Sequence, residues 1–208
     1  MHTNPRNKLN RRSFLASSLR AALFGTYALN ANARIQTPWS NWSGGLSCNP
    51  KGRYDIAAEN QLIDILRETS GPIRPVGSGH SFSPLVPTEG HLVVIDQLSG
   101  VFDHDSQSMQ ATVGAGTRLG DLGAPLFEVG QGMLNLPDID RQTLAGATAT
   151  GTHGTGINFK SLSGYITGLR IITANGETRD IDASHKDLFD AARVNLGALG
   201  VVTQIRMQ

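Results

Sequence analysis

The chain has 208 residues, 39% hydrophobic and 17% charged, with a formal net charge of +1. That length holds one generous domain or two small subdomains sharing a core, and the composition is globular rather than disordered or fibrous. Near-neutral charge without a basic face argues against nucleic acid as a partner. The single cysteine, Cys48, excludes an intrachain disulfide and any cysteine-based zinc or iron–sulfur site.

Residues 1–33 read as a targeting segment. Asn10-Arg11-Arg12-Ser13-Phe14-Leu15-Ala16 resembles a twin-arginine export signal, a modestly apolar stretch runs on to Leu29, and Ala31-Asn32-Ala33 supplies a small-x-small cleavage site. The competing reading is a basic leader with an accidental arginine pair, to which Arg20 in the apolar stretch lends weight. The stretch is too short and polar to span a bilayer. Export to the periplasm or the extracellular space is the expectation, with residues 34–208 as the folded domain.

The mature part opens on Trp39-Ser40-Asn41-Trp42-Ser43-Gly44-Gly45, two aromatics in a turn-rich setting. Tyr54 and Ile56 suggest a short strand. Over residues 58–69, Leu62, Ile63 and Leu66 share one helical face, with Gly71 as the stop. Residues 73–76 read as a strand, giving a β-α-β opening. Residues 92–95 and 110–113 are further strands, and Thr117 is the expected N-cap of a helix to about Val129, ended by Gly130. Residues 165–174 and 178–181 flank Asn175-Gly176, a strong hairpin signal. A short helix over 187–193 precedes Gly197 and Gly200, and a strand over 201–205 follows. Without strict β-α alternation, the class is α+β.

Two glycine-rich segments could carry chemistry. Gly77-Ser78-Gly79-His80-Ser81-Phe82 follows the strand ending at Val76, and its glycines let successive backbone N–H groups converge on phosphate oxygens. It is not the dinucleotide fingerprint: the third glycine is missing and Pro84 blocks a helix start. Alone, it reads more readily as a tight turn. Residues 146–156 pack Gly146, Ala147, Thr150, Gly151, Thr152, His153 and Gly154 into an uncharged run that could lie flat on a planar ligand. A Gly-rich surface connection is the bland alternative, although a solvated loop would be expected to carry charge. His91, His104 and His185 sit in polar turns and read as surface residues, as do Asp138, Asp140 and Arg141.

Taken together, the segments 74–83, 39–44, 145–156, 173–176 and 197–203 resemble, in order, the vanillyl-alcohol-oxidase superfamily. Within it the aldonolactone and alditol oxidases (gulonolactone, arabinonolactone and xylitol oxidases) are most similar. The resemblance implies a two-subdomain PCMH-type FAD-binding domain clasping an extended FAD. It implies that residues 77–82 wrap the pyrophosphate and that His80 bonds covalently to the flavin 8α-methyl or only hydrogen-bonds the cofactor. It further implies that the 146–154 positions line the second side and that Val201 meets the adenine end. Relatives continue past the position of Gln208 into a cap domain that holds substrate, so no general base and no metal site are assigned. The expected activity is oxidation of a CH–OH carbon in a sugar lactone or polyol, with electrons passing to oxygen. The alternative is a truncated, inactive flavin-binding domain, or one needing a cap in a partner chain. A flavin reductase of cell-wall precursor synthesis fits less well with an export signal.

Overall fold

The computed structural model describes residues 38–208; the segment 1–33 with its export motif lies outside the described residues. Two sheets carry the fold. The first is parallel, order β3-β5-β4, from β3 (Gly52–Asp55), β4 (Ile73–Val76) and β5 (His91–Val94). The second is antiparallel, order β6-β7-β10-β8-β9, from β6 (Val101–Asp105), β7 (Gln110–Gly114), β8 (Ile166–Ile172), β9 (Thr178–Asp182) and β10 (Val201–Met207). A small hairpin, β1 (Trp39–Ser40) with β2 (Ser47–Cys48), precedes both. The α+β expectation stands as a mixed architecture of two sheet units.

Helix α1 (Glu59–Glu68) buries Leu62 and Leu66, as the apolar spacing requires. It crosses from β3 to β4, and β5 then inserts between them, so the β-α-β opening closes around a third strand. That central strand is buried on both faces: Leu92 and Val94 meet Trp39 and Val76, while Val93 and Ile95 join the main core. Double burial is why 92–95 reads as an unbroken apolar run. β10 alternates instead, with Val201, Thr203, Ile205 and Met207 buried and Arg206 exposed. The Asn175-Gly176 turn joins β8 to β9, and Gly176 takes φ +76°. Across that hairpin Arg170 pairs with Asp180 at 2.8 Å; this bond, the largest cause, holds the Asp180 carboxyl below the usual carboxylate range.

Two expectations need correction, and one strand went unread. Thr117 caps no helix: its buried hydroxyl donates to the Gly114 carbonyl at 2.7 Å and accepts from the Gly100 amide at 2.9 Å. The stretch after it breaks into a 3-10 turn (Leu119–Asp121) and helix α2 (Gly123–Glu128). The physical reason is tertiary, since Leu119 N–H and Gly120 N–H donate to the carbonyls of Gln142 and Asp140. His91 is no surface residue: it opens β5, is buried, and stacks on Tyr54 with ring centroids 5.9 Å apart. The Glu89-Gly90 turn beside it hid the strand start. β6 had no sequence signal, because four of its five residues are exposed and nothing alternates. His104 and His185 are exposed, as expected.

The sheets meet at a seam of small residues. A Cβ at Gly116 would lie 1.8 Å from the Ile95 carbonyl oxygen, and one at Gly114 would lie 2.3 Å from that of Leu98. Glu59 at the start of α1 reinforces the junction by accepting from Thr203 Oγ1 at 2.6 Å and Gln204 Nε2 at 3.1 Å on β10. Gly116→Ala should therefore cost more than about 3 kcal/mol, because it forces backbone apart. Gly123→Ala meets nothing within 4 Å at the first position of α2 and should be neutral or stabilising by up to about 1 kcal/mol. Urea denaturation of the two variants beside the parent checks both.

Candidate flavin cradle

The segment 77–82 leaves the C-terminal end of β4 and is held from one side by the β1–β2 hairpin. Trp42 N–H donates to the Gly79 carbonyl at 3.1 Å, Trp42 Nε1–H to that of His80 at 3.2 Å, and Asn41 Nδ2–H to that of Ser81 at 3.1 Å. Asn41 can do this because it is buried and fixed, its Oδ1 accepting from Leu46 N–H at 3.0 Å. A trans peptide points the carbonyl of one residue and the N–H of the next in opposite directions. The N–H groups of His80, Ser81 and Phe82 therefore face away from the hairpin. Among the described residues, no backbone N–H of residues 77–82 donates a hydrogen bond. The loop residues are half-buried or, at Phe82, exposed, so these amides stay open to an incoming acceptor, whereas Ser78 Oγ is itself buried without a partner. Buried polar groups are normally paired, so that hydroxyl marks the loop as a place for an acceptor.

The loop bounds a cleft of about 320 Å³. Gly77, Ser78, Gly79, His80, Ser81 and Phe82 all line it. Gly77 meets the second wall directly, since a Cβ there would sit 1.9 Å from Thr143 Oγ1. Gly79 has φ +66°, a left-handed conformation that glycine supplies without steric cost.

The second wall differs from the open loop expected over 146–156. Helix α3 (Leu144–Ala149) occupies its start, capped by Thr143, whose Oγ1 accepts from Gly146 N–H. The amides of Leu144 and Ala145 are consumed by the carbonyls of Thr117 and Ala115. Helix α3 thus offers small side chains rather than free donors, with Gly146, Ala149 and Thr150 facing the cleft. Ala147 is fully buried in the core. Gly151, Thr152, His153 and Gly154 lie past the helix, outside the cleft lining. There Thr152 accepts from Gln142 Nε2 at 3.0 Å, and exposed His153 has Nδ1 2.9 Å from the Gly154 carbonyl. Asp138, Asp140 and Arg141 are exposed, as their sequence setting suggested.

A third wall comes from the turn before β10, where the sequence reading singled out Val201 alone. Val201 is buried, and strand alternation turns its neighbour Val202 to the cleft beside Leu196, Gly197 and Gly200. Asn195 shapes this turn by donating to the Ala192 carbonyl and accepting from Gly197 N–H at 2.6 Å. Leu196 and Gly197 take φ +51° and +81°. The two glycines of Gly197-Ala198-Leu199-Gly200 were the available signal for this wall.

Arg74 and His80 are the ionisable residues of the lining, and no carboxylate faces it. Amides without a protein acceptor, an unpaired buried hydroxyl, one exposed cation and no acid suit a phosphate-bearing ligand with a flat body. A dinucleotide would meet in this cleft a cradle without the usual helix N-terminus.

Comparison with known proteins places the chain more narrowly. A family profile described as "FAD binding domain" matches residues 55–182, and the chain belongs to that family, with FAD as its cofactor. L-gulono-1,4-lactone dehydrogenase of Mycobacterium tuberculosis is 40% identical over 173 residues, covering 82% of this chain and 40% of that protein. L-gulonolactone oxidase of Mus musculus is 31% identical over 82% of this chain and 40% of its own length. D-arabinono-1,4-lactone oxidase of Eremothecium gossypii is 33% identical over 80% and 33%. The chain thus spans two fifths or less of these relatives. Among solved structures, Physcomitrella patens BBE-like 1 has a TM-score of 0.70 at 24% identity, covering 76% of this chain and 36% of that one. Cholesterol oxidase from Brevibacterium sterolicum has a TM-score of 0.71 at 20% identity, covering 84% and 37%. These two share the fold. No helix among the described residues is long and apolar enough to cross a membrane.

Ser78→Ala separates a structural from a ligand role for the orphan hydroxyl. Removing an unpaired buried group should stabilise the flavin-free protein by about 1 kcal/mol or more, while weakening FAD binding. Thermal melts with and without FAD should move in opposite directions relative to the parent.

Proposed function

We propose that this chain is the cofactor-holding part of a flavin oxidoreductase that oxidises a CH–OH carbon of a sugar lactone or alditol, with oxygen as electron acceptor. The observation that carries the reading is the 77–82 loop, with its amides turned from the hairpin and Ser78 Oγ unpaired. Its narrowing to lactones rests on the names of the aligned relatives. FAD, when bound, supplies the two-electron acceptor for the substrate's hydride. The protein's part is to hold and orient: residues 77–82 bind phosphate oxygens, Gly146, Ala149 and Thr150 let the flat body approach, and the 196–202 turn closes the remaining side. Ala147, Gly151, Thr152, His153, Gly154 and Val201 then support these walls from behind or beside the cleft. No carboxylate lines the cleft, so no residue in it is assigned to take the substrate's hydroxyl proton. That same observation favours a second reading, in which the 208 residues alone hold flavin without turnover.

We also propose that His80 is joined to the flavin. His80 would hold the cofactor through a bond from an imidazole nitrogen to the 8α carbon, the two protons and two electrons of the N–H and C–H bonds lost being taken by oxygen to give hydrogen peroxide. Acid precipitation of the purified chain should leave yellow flavin with the protein, and His80→Ala should abolish the acid-stable colour while retaining bound FAD. Colour lost from the parent on precipitation overturns the link, and a chain that never takes up FAD overturns the cradle. An oxygen electrode with gulonolactone, arabinonolactone, xylitol and sorbitol decides between enzyme and holder: uptake with a lactone supports the first, and silence with all four, with flavin bound, supports the second.

Export by the twin-arginine route is proposed from Arg11, Arg12 and the following apolar stretch. Replacing both arginines with lysine should leave the full-length chain in the cytoplasm. Unchanged export of that variant would refute the route.

A further inference from the structure

The hairpin residue Trp42 touches His80 twice. Its indole lies over the imidazole with centroids 5.3 Å apart and planes 17° from parallel, and its Nε1–H donates to His80's own carbonyl at 3.2 Å. The Trp42 backbone amide holds the preceding carbonyl, and the Phe82 ring meets the indole edge-on at 5.6 Å. Trp42 is 57% exposed, so core burial does not explain this placement. A histidine on a glycine-flanked loop has rotamer freedom that must be lost before its ring can meet another group in one geometry. An aromatic stack and a hydrogen bond to the same residue remove that freedom in advance.

We propose that Trp42 is a positioning residue for His80: it fixes the imidazole's plane and backbone before flavin arrives, so that the ring nitrogen meets the 8α carbon in a single orientation. This rests on the covalent reading given above. It assigns a purpose to the Trp39-Ser40-Asn41-Trp42 segment, which lies outside the cleft lining and has no contact role of its own there. Asn41 and Trp39 complete the clamp, the first through the Ser81 carbonyl and the second by standing 3.2 Å from where a Gly79 Cβ would be.

The test has two arms on the full chain. In the first, flavin-free protein carrying 13C-labelled histidine is studied by NMR, the His80 ring signal being the one lost in His80→Ala. An imidazole above an indole is shifted upfield by the ring current, so Trp42→Leu should move that signal downfield, while Trp42→Phe should keep most of the shift. A His80 signal indifferent to Trp42→Leu overturns the stack. In the second, FAD is added and acid-stable flavin is followed with time. At saturating FAD, so that any change in affinity drops out, Trp42→Leu should slow attachment about threefold to tenfold, the range a lost aromatic stack gives. Trp42→Phe should restore most of the rate. Trp42→Met, which keeps bulk without a ring, should repeat the slowing and serves if the leucine variant does not fold. Equal attachment rates in parent and ring-less variants overturn the positioning role alone. A parent that binds FAD but never forms the bond overturns the covalent reading and this role with it.

Discussion

The cleft exists because two sheets approach each other more closely than side chains permit. Gly116 stands where even a methyl would strike the Ile95 carbonyl, and Gly114 does the same against Leu98. Ala115 between them donates to the Thr203 carbonyl of β10 and accepts from Ala145 of α3. One three-residue stretch therefore fastens the end of β7 to the parallel unit, to the central antiparallel strand and to the second cleft wall. Gly77 against Thr143 repeats the same solution at the mouth. Small residues are required here for backbone proximity, and the cleft follows from where that proximity stops.

A second constraint gives the cleft its chemistry. The 77–82 loop carries its carbonyls toward Trp42 and Asn41, some 40 residues earlier in the chain, and so its amides face the other way. Leaving the buried Ser78 hydroxyl unpaired costs the ligand-free protein stability. A ligand that satisfies it returns that free energy through binding to the folded state alone. The absence of acids from the lining fits this, since a carboxylate would satisfy the donors itself and repel phosphate.

Much of the frame was legible because local pattern and tertiary role agreed. The apolar spacing in α1, the unbroken run of β5, the Asn-Gly turn and the alternation of β10 each follow from one burial face or two. Thr117 failed as a cap because its hydroxyl was taken by a neighbouring turn, a competition that sequence spacing does not display. His91 failed because a polar-looking turn residue can open a buried strand. Residues 146–156 read as one loop because glycine and threonine density outweighed the Thr143 cap and the buried Leu144, Ala145 and Ala147 that make α3 a helix.

From the sequence, the cofactor class was legible through resemblance to a flavin-binding family across several ordered segments, whereas the His80 segment alone reads only as a turn able to meet phosphate. Tertiary contacts settled which way that segment's amides face, that the leading amides of α3 are taken by Thr117 and Ala115, and that the 196–202 turn forms a third wall. The reason is physical. Residue type sets what backbone can approach a ligand, but the direction of a peptide group is set by partners brought from elsewhere in the chain.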